Sequence, residues 1–558
     1  MIKLLVMKKR KKKRRLRKGF LVLVLGLLLL LTAGASFYLY KQIQGNKTSP
    51  YFLAGSTQML ELRNEDNETL DFPRGSEVQI KNKTEEIDGV EYRIFTYNNK
   101  TYYVLESNLE LDRNNCVKES TLYALRDHVL TEAVNDYHIS GWIKKKQEVQ
   151  VTGFNQLLED GSVDYYYIDN TGYIKSEFLS DSFYETGYDS SIYNDVFYGM
   201  AGSPTVIDYY PKQIPSFEDN VMPDVVKALY INAEAICDAQ YFIELARKTS
   251  GINAFVVDIK DCYVDTQLAY NSPVALKYAP STENIPNTFE EYKENIKKLK
   301  DAGYYLIGRI TAFKDDAFAA DNPEESLMEA NGDRYTYGYV KWPSVYSRKM
   351  WEYNLALASE AVNEFGFNEI QFDYIRFPED DDDTLITRNI YDETRAQVVT
   401  NFLRYASEYL HDQGVYVSAD VFGETSGDED DEFSCFVAYY GQFWPAVSNA
   451  VDVISSMPYP DHFGDDYYGV SSPWSNPGPL MYSWGRATYY AQEKTYDPAK
   501  CRTWIMAQNS DVYDVVYDES FLADQINSLK SAGVFDGYMT WNAASSLSKY
   551  GSYIDVLD

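Results

Sequence analysis

The sequence predicts a (β/α)8 barrel of about 330 residues, preceded by two small all-β barrels and one N-terminal transmembrane helix. Three observations carry this. After residue 225, eight short apolar runs of strand character alternate with amphipathic helical stretches, the pattern of a parallel sheet. Between residues 51 and 181 the apolar residues alternate with period two, and no long helical period appears. Ahead of both, residues 20–40 form an apolar run with a basic cluster on one flank. The 558 residues are too many for one small core, and 45% hydrophobic with 24% charged residues excludes wholesale disorder.

Residues 8–18 are basic at every position but Leu16, and they abut an apolar run long enough, at ~1.5 Å per residue, to cross a bilayer core of ~30 Å. The expectation is a cytoplasmic tail at 1–19, a membrane anchor at 20–40 and everything after Lys41 outside the cell. A cleaved signal peptide competes, because Ala33-Gly34-Ala35 supplies small residues after the most apolar stretch. Either way the chain is exported. Residues 1–47 hold 13 Lys and Arg and no acid, so the remaining 39 basic and 84 acidic residues leave a net charge of −45. Such a surface excludes binding to nucleic acid through its phosphates. The five Cys are scattered, with no metal-ligand spacing, and read as free thiols.

Strands are expected at 90–96 and 101–105, around the turn Asn98-Asn99, and at 149–154 and 165–168. The run YNNKTYYVLESNLEL at 97–111 echoes DYYYIDNTGYIKSEFLS at 164–180, which divides the region into β domains at 51–112 and 113–183. The pattern resembles bacterial SH3-type domains, although Thr171-Gly172-Tyr173-Ile174 keeps the glycine of that motif and Thr101-Tyr102-Tyr103-Val104 does not. The resemblance implies a wall-facing binding or spacer role.

The barrel is expected at 196–558, with strands at 228–232, 254–259, 304–310, 369–373, 415–420, 453–456, 503–507 and 537–540. Helical spacing between them appears at Phe289, Tyr292, Ile296, Leu299 and again at Trp351, Leu355, Ala358, Val362, Phe365. Chemistry in this fold gathers at the carboxyl ends of the strands. Those positions hold Asn232, Glu234, Asp258, Lys260, Arg309, Asp373, Arg376, Asp420, Glu424, Tyr459, His462, Gln508, Trp541 and Asn542. Each alone could be a helix cap; together they mark a mouth.

No Gly-rich phosphate loop, His-based zinc set or serine nucleophile elbow stands in the right context, so no cofactor and no metal are expected. Carboxylates and aromatics remain, the equipment of glycoside hydrolysis. Asp373 and Asp420 close neighbouring strands, ~4.8 Å apart, and suit a pair of acid and nucleophile or base, with Glu424 able to replace Asp420 as the acid. Asp258, Lys260, Arg309, Arg376, Tyr459, His462, Gln508, Trp541 and Asn542 are the candidate substrate-binding residues. Arg376 could hold Asp373 ionised, and Trp541, Trp342 and Tyr459 could be sugar platforms. The acidic runs at 379–383 and 428–432 lack EF-hand spacing and read as solvated loops.

The runs NAFVVDIKD (253–261), QFDYIRFP (371–378), SADVFG (418–423), SSMPYPDHFG (455–464) and GYMTWNAAS (537–545) resemble, in this order, a bacterial glycosyl hydrolase domain family of TIM-barrel fold and unassigned substrate. FYGMAGSP at 197–204 is similar to its opening segment. The resemblance implies a site of Asp258, Asp373, Arg376, Asp420, Tyr459, His462, Gln508 and Trp541. The chitinase-type pattern Asp-x-x-Asp-x-Asp-x-Glu fails here, since Gln371 and Ile375 stand where it needs Asp and the catalytic Glu. The leading expectation is an exported, membrane-tethered glycoside hydrolase cleaving a wall, peptidoglycan-type or capsule polysaccharide. Its rivals are a non-catalytic carbohydrate-binding scaffold and a deacetylase-like metal site of Asp258, Asp373 and His462.

Overall fold

The computed structural model describes residues 47–183, 207–379, 385–426 and 439–557. The expected tail and membrane run, the segment 197–204, most of the first acidic run and all of the second lie outside them. No described helix is long and apolar enough to cross a membrane. The described residues form two compact units, 47–134 with 140–183, and 207–557 with 135–139.

The first unit is all-β, as its period-two pattern requires. Its echo is structural: Val90–Tyr97 pairs with Lys100–Val104 around Asn98 and Asn99 (φ 48° and 65°), and Tyr165–Ile168 pairs with Gly172–Lys175 around Asp169 and Asn170 (φ 52° and 54°). Two successive positive φ values make the tight hairpin turn that Asn and Asp tolerate best. Each hairpin is followed by a 3-10 turn, Glu106–Asn108 or Ser176–Phe178, and a two-residue strand. The halves share buried polar side chains. Arg74 ion-pairs with Glu119, donates through Nε to the Gly161 carbonyl (2.7 Å), and Glu119 also accepts from the Tyr166 hydroxyl (2.9 Å).

The second unit contains the eight expected strands in the expected order: β1 (Val226–Ile231), β2 (Ala254–Cys262), β3 (Tyr305–Thr311), β4 (Glu369–Asp373), β5 (Tyr416–Phe422), β6 (Val453–Met457), β7 (Lys500–Cys501 and Thr503–Met506) and β8 (Gly537–Trp541). All neighbours pair in parallel, β8 returns to β1, and β7 closes the ring in two pieces, the first on β6 and the second on β8, parted at Arg502. A helix follows each strand: α1 (Ala239–Ala246), α2 (Phe289–Asp301), α3 (Arg348–Phe365), α4 (Arg395–His411), α5 (Trp444–Ala450), α6 (Pro477–Lys494), α7 (Glu519–Ala532) and α8 (Leu547–Gly551). Capping boxes start α2 (Thr288 with Glu291) and α4 (Thr394 with Gln397), satisfying backbone N–H groups that have no intrahelical partner. The predicted face of α2 buries Tyr292, Ile296 and Leu299. Gly537 is required by contact: with φ at 129°, a Cβ there would lie 1.8 Å from the Val226 carbonyl oxygen, where β8 enters beside β1.

Alternate residues of each strand point into the barrel and stack in layers. At the bottom, buried Glu369 accepts from Arg502 Nη1 (2.8 Å) and the Tyr305 hydroxyl (3.0 Å). Above it Gln371 reaches Ser455 Oγ (3.4 Å) and Met539 Sδ (3.3 Å) among Val256 and Ile307. The top layer is the mouth.

Candidate active site

Arg309, at the end of β3, is the hub of the mouth. Its Nε and Nη2 both donate to Asp373 Oδ2 (3.1 and 2.6 Å), and its Nη1 donates to Asp258 Oδ1 (2.8 Å) and Asp261 Oδ1 (3.3 Å). Asp258 Oδ2 accepts from the Tyr230 hydroxyl of β1. A guanidinium fork is suited to this, because its planar donors meet two carboxylates at once without rotation. Desolvation opposes the charge on Arg309, but the carboxylates around it hold it firmly cationic. Burial pushes the Asp258 carboxyl up to about 7, against the pull of Arg309.

After β4 the chain turns sharply, with Tyr374 at φ 49°, an unfavourable conformation for a bulky residue. Its N–H donates to Asp373 Oδ1 (2.6 Å), so both Asp373 oxygens are held while the turn carries Arg376 to the mouth. The Arg376 guanidinium lies 4.8 to 5.3 Å from the ring centres of Phe422, Tyr374, Trp342 and Tyr440, and its Nη1 donates to the Phe377 carbonyl (2.9 Å). Burial lowers its pKa.

At the end of β5, Asp420 is fully buried. Its Oδ1 accepts from Trp504 Nε1 (2.9 Å), and its Oδ2 has no protein partner among the described residues. Desolvation, with the Asp373 charge second, raises the pKa of Asp420 well above its ordinary value. Glu424 stands four residues on, after Gly423, whose missing side chain lets the loop approach β6: a Cβ would sit 2.8 Å from Pro458 Cα. The Trp484 indole pins this turn through the Gly423 carbonyl (2.5 Å), and Gln442 Oε1 accepts from Phe422 N–H (3.0 Å).

These side chains enclose a cavity of about 500 Å³ whose wall includes Arg309, Asp373, Tyr374, Arg376, Glu379, Glu424, Tyr459, His462 and Trp541. Trp541 and Tyr459 are stacked at 6.2 Å, and Trp541 lies 4.8 Å from the Tyr230 ring. The family described as "putative glycosyl hydrolase domain" matches residues 228–547, from β1 into α8.

The chain belongs to this glycosyl hydrolase family. Hydrolysis of glycosidic bonds is accordingly the reaction class of the barrel. Among solved structures, a hypothetical protein from Ruminiclostridium thermocellum ATCC 27405 is 32% identical over 35% of this chain and 97% of its own, with a TM-score of 0.30. The PgaB (BpsB) glycoside hydrolase domain from Bordetella bronchiseptica is 13% identical over 60% of this chain and 99% of its own, at 0.44. The spore cortex-lytic enzyme SleL of Bacillus megaterium QM B1551 is 10% identical over 59% and 73%, at 0.35. No curated protein matches the chain.

Of the sequence-predicted residues of this glycosyl hydrolase domain, Asp373, Glu424, Arg309, Arg376, Tyr459, His462 and Trp541 share the cavity. Asp258 and Asp420 lie buried next to its wall, held by Arg309 and Trp504. Lys260 is not in the mouth. The β2–β3 register shifts between Asp258 and Lys260, and this bulge turns Lys260 outward, where its fully buried ammonium meets Asp315 Oδ2 (2.8 Å) and Asn354 Oδ1 (3.2 Å). The same bulge brings Asp261 to Arg309 and to the Thr311 hydroxyl (3.0 Å), a contact that strict alternation hides.

Gln508 and Asn542 also leave the predicted site. They line a separate cavity and bond backbone, Gln508 Oε1 accepting from Ala543 N–H (2.7 Å) and Asn542 Nδ2 donating to the Ala507 carbonyl (3.1 Å). Trp342 is fully buried behind Arg376 and is no platform. Arg309, not Arg376, holds Asp373. The metal reading fails on its donor set, because the guanidinium of Arg309 already occupies the space between Asp258 and Asp373. Tyr374, Glu379, Phe422, Tyr440 and Gln442 also stand in the wall without having been singled out; Tyr374 and Phe422 lie within the quoted motifs and Glu379 directly after one.

Proposed function

We propose that the barrel cleaves a wall or capsule polysaccharide by a two-carboxylate mechanism, with Asp373 as nucleophile or base and Glu424 as acid. The observation that carries this is one cavity walled by both carboxylates and by the Trp541 and Tyr459 rings, which offer apolar faces to sugar. The acid gives its proton to the departing glycosidic oxygen. Asp373 supplies an electron pair to the anomeric carbon, or takes the proton of the water that does so. Asp373 Oδ1 keeps acceptor capacity, since a carboxylate oxygen takes more than one donor and this one accepts from the Tyr374 N–H, whereas Oδ2 already accepts two from Arg309. Arg309 and the Tyr374 N–H hold the carboxylate aimed. A second reading makes Asp420 the acid, because burial raises its pKa, the direction an acid needs, and its Oδ2 has no partner among the described residues. Glu424 is preferred because it stands on the cavity wall and Asp420 does not.

The test is the full chain incubated with a panel of wall and capsule polysaccharides, read by new reducing ends and by mass spectrometry of the products. Hydrolysis of none of them, with binding retained, would replace the enzyme by a carbohydrate-binding scaffold.

The setting we propose is the outer face of a cell membrane, with residues 20–40 as the anchor and the all-β unit, as SH3-like modules, facing the wall. The support is the segregation of 11 basic residues and no acid to the N-terminal flank of that apolar run and the net charge of −43 beyond it, which disfavours a nucleic-acid partner. Protease added to intact cells is expected to digest the chain after Lys41 and to spare an epitope before Lys8. A protected C-terminal region would reverse the topology.

A further inference from the structure

The geometry points to Asp258, with Tyr230, as a positioning residue that acts on Asp373 through Arg309 and so sets its strength as nucleophile or base; this rests on the role proposed above for Asp373. Four side chains from four elements form one line: the Tyr230 hydroxyl on Asp258 Oδ2, Asp258 Oδ1 on Arg309 Nη1 (2.8 Å), and Arg309 Nε and Nη2 on Asp373 Oδ2 (3.1 and 2.6 Å). Asp258 is 1% exposed and does not line the cavity, so it touches no substrate and can act only through this line.

One guanidinium serves three carboxylates; Asp258 and Asp373 compete for it at 2.6 to 3.1 Å, with Asp261 a more distant third at 3.3 Å. With Asp258 ionised, Arg309 is largely neutralised from its far side, and Asp373 keeps its electron density for the anomeric carbon or for a water proton. With Asp258 protonated, the cationic charge falls on Asp373 and makes it a weaker base. The groups facing Asp258 are few: Tyr230 from β1, Arg309 from β3, Asp261 on its own strand, Asp373 across Arg309 from β4, and the Tyr292 hydroxyl of α2, which donates to the Asp258 main-chain carbonyl (2.7 Å). Burial brings the Asp258 carboxyl to about 7. The sign follows: turnover rises with pH as Asp258 loses its proton. Tyr230 donates to the ionised form, so its removal favours the protonated form and moves that rise to higher pH.

The experiment has two arms on the full chain. The first needs no substrate: infrared difference titration, in which a buried neutral carboxyl shows its own C=O stretch, assigned by its loss in Asp258→Asn. Asp258 is expected to titrate at lower pH in Asp373→Asn, by roughly one pH unit, because a neighbouring negative charge has gone. An unchanged titration overturns the proposal whatever reaction the barrel performs. The second arm is the pH profile of turnover on a polysaccharide that the wild type hydrolyses. Tyr230→Phe is expected to shift the rise upward, and Asp258→Asn to abolish it and to lower turnover about tenfold above pH ~7. A purely structural Asp258 would lower activity evenly at every pH, and a rise near neutral pH that survives in Asp258→Asn overturns the proposal. Inactivity of the wild type on every glycan falls on the glycosidase reading and leaves the infrared coupling to decide this one.

Discussion

Asp373→Asn is expected to lower turnover by several orders of magnitude while the enzyme still binds its polysaccharide. The substitution is nearly isosteric, and its Oδ can still accept from Arg309, which Asp258 and Asp261 also hold in place. What disappears is the charge that attacks the anomeric carbon or takes a proton from water, and removal of a reacting group raises the barrier without emptying the site. The companion Glu424→Gln should lose comparable activity on polysaccharide and recover much of it on glycosides with good leaving groups, which need little protonation. If Asp420→Asn shows that recovery and Glu424→Gln does not, Asp420 is the acid. A folded Asp373→Asn protein with full activity removes the proposed site.

The second large effect is on stability. Arg502→Met should destabilise the barrel by ~3–5 kcal/mol, because it strands Glu369 at the bottom of the interior with only the Tyr305 hydroxyl as partner. Both side chains of this pair are essentially unexposed, so solvent screening offers no relief. Replacing Glu369 by Gln in the same chain should restore much of the loss, since the uncompensated charge is then gone. Chemical denaturation of the two variants measures it. Equal stability of the single and double variants would mean that the pair matters only through packing.

The strands were legible because burial on both faces demands continuous apolar runs such as AFVV at 254–257, and eight such runs separated by capped amphipathic helices admit few topologies. Their carboxyl ends could therefore be read as a mouth, and seven of the predicted residues do meet in one cavity. The failures have particular causes. Lys260 stands at the carboxyl end of its strand, but a bulge reverses the face of everything after Asp258. Gln508 and Asn542 sit at strand ends but satisfy neighbouring backbone, the ordinary fate of polar residues there. Arg376 is close to Asp373 in sequence, yet the turn at Tyr374 surrounds its guanidinium with aromatic rings.

The order of elements, the parallel barrel, the all-β region before it and the ring of carboxylates were thus determined by the sequence alone, because periodicity and strand order are local properties of the chain. Tertiary structure decided which of those carboxylates work together. That depends on a guanidinium from β3 reaching β2 and β4, on a register shift too small to alter any hydrophobic pattern, and on burial that raises the proton affinity of Asp420 and leaves Glu424 on the wall. Partnership and desolvation are set by residues far apart in the chain, and they govern proton affinity more strongly than residue type does.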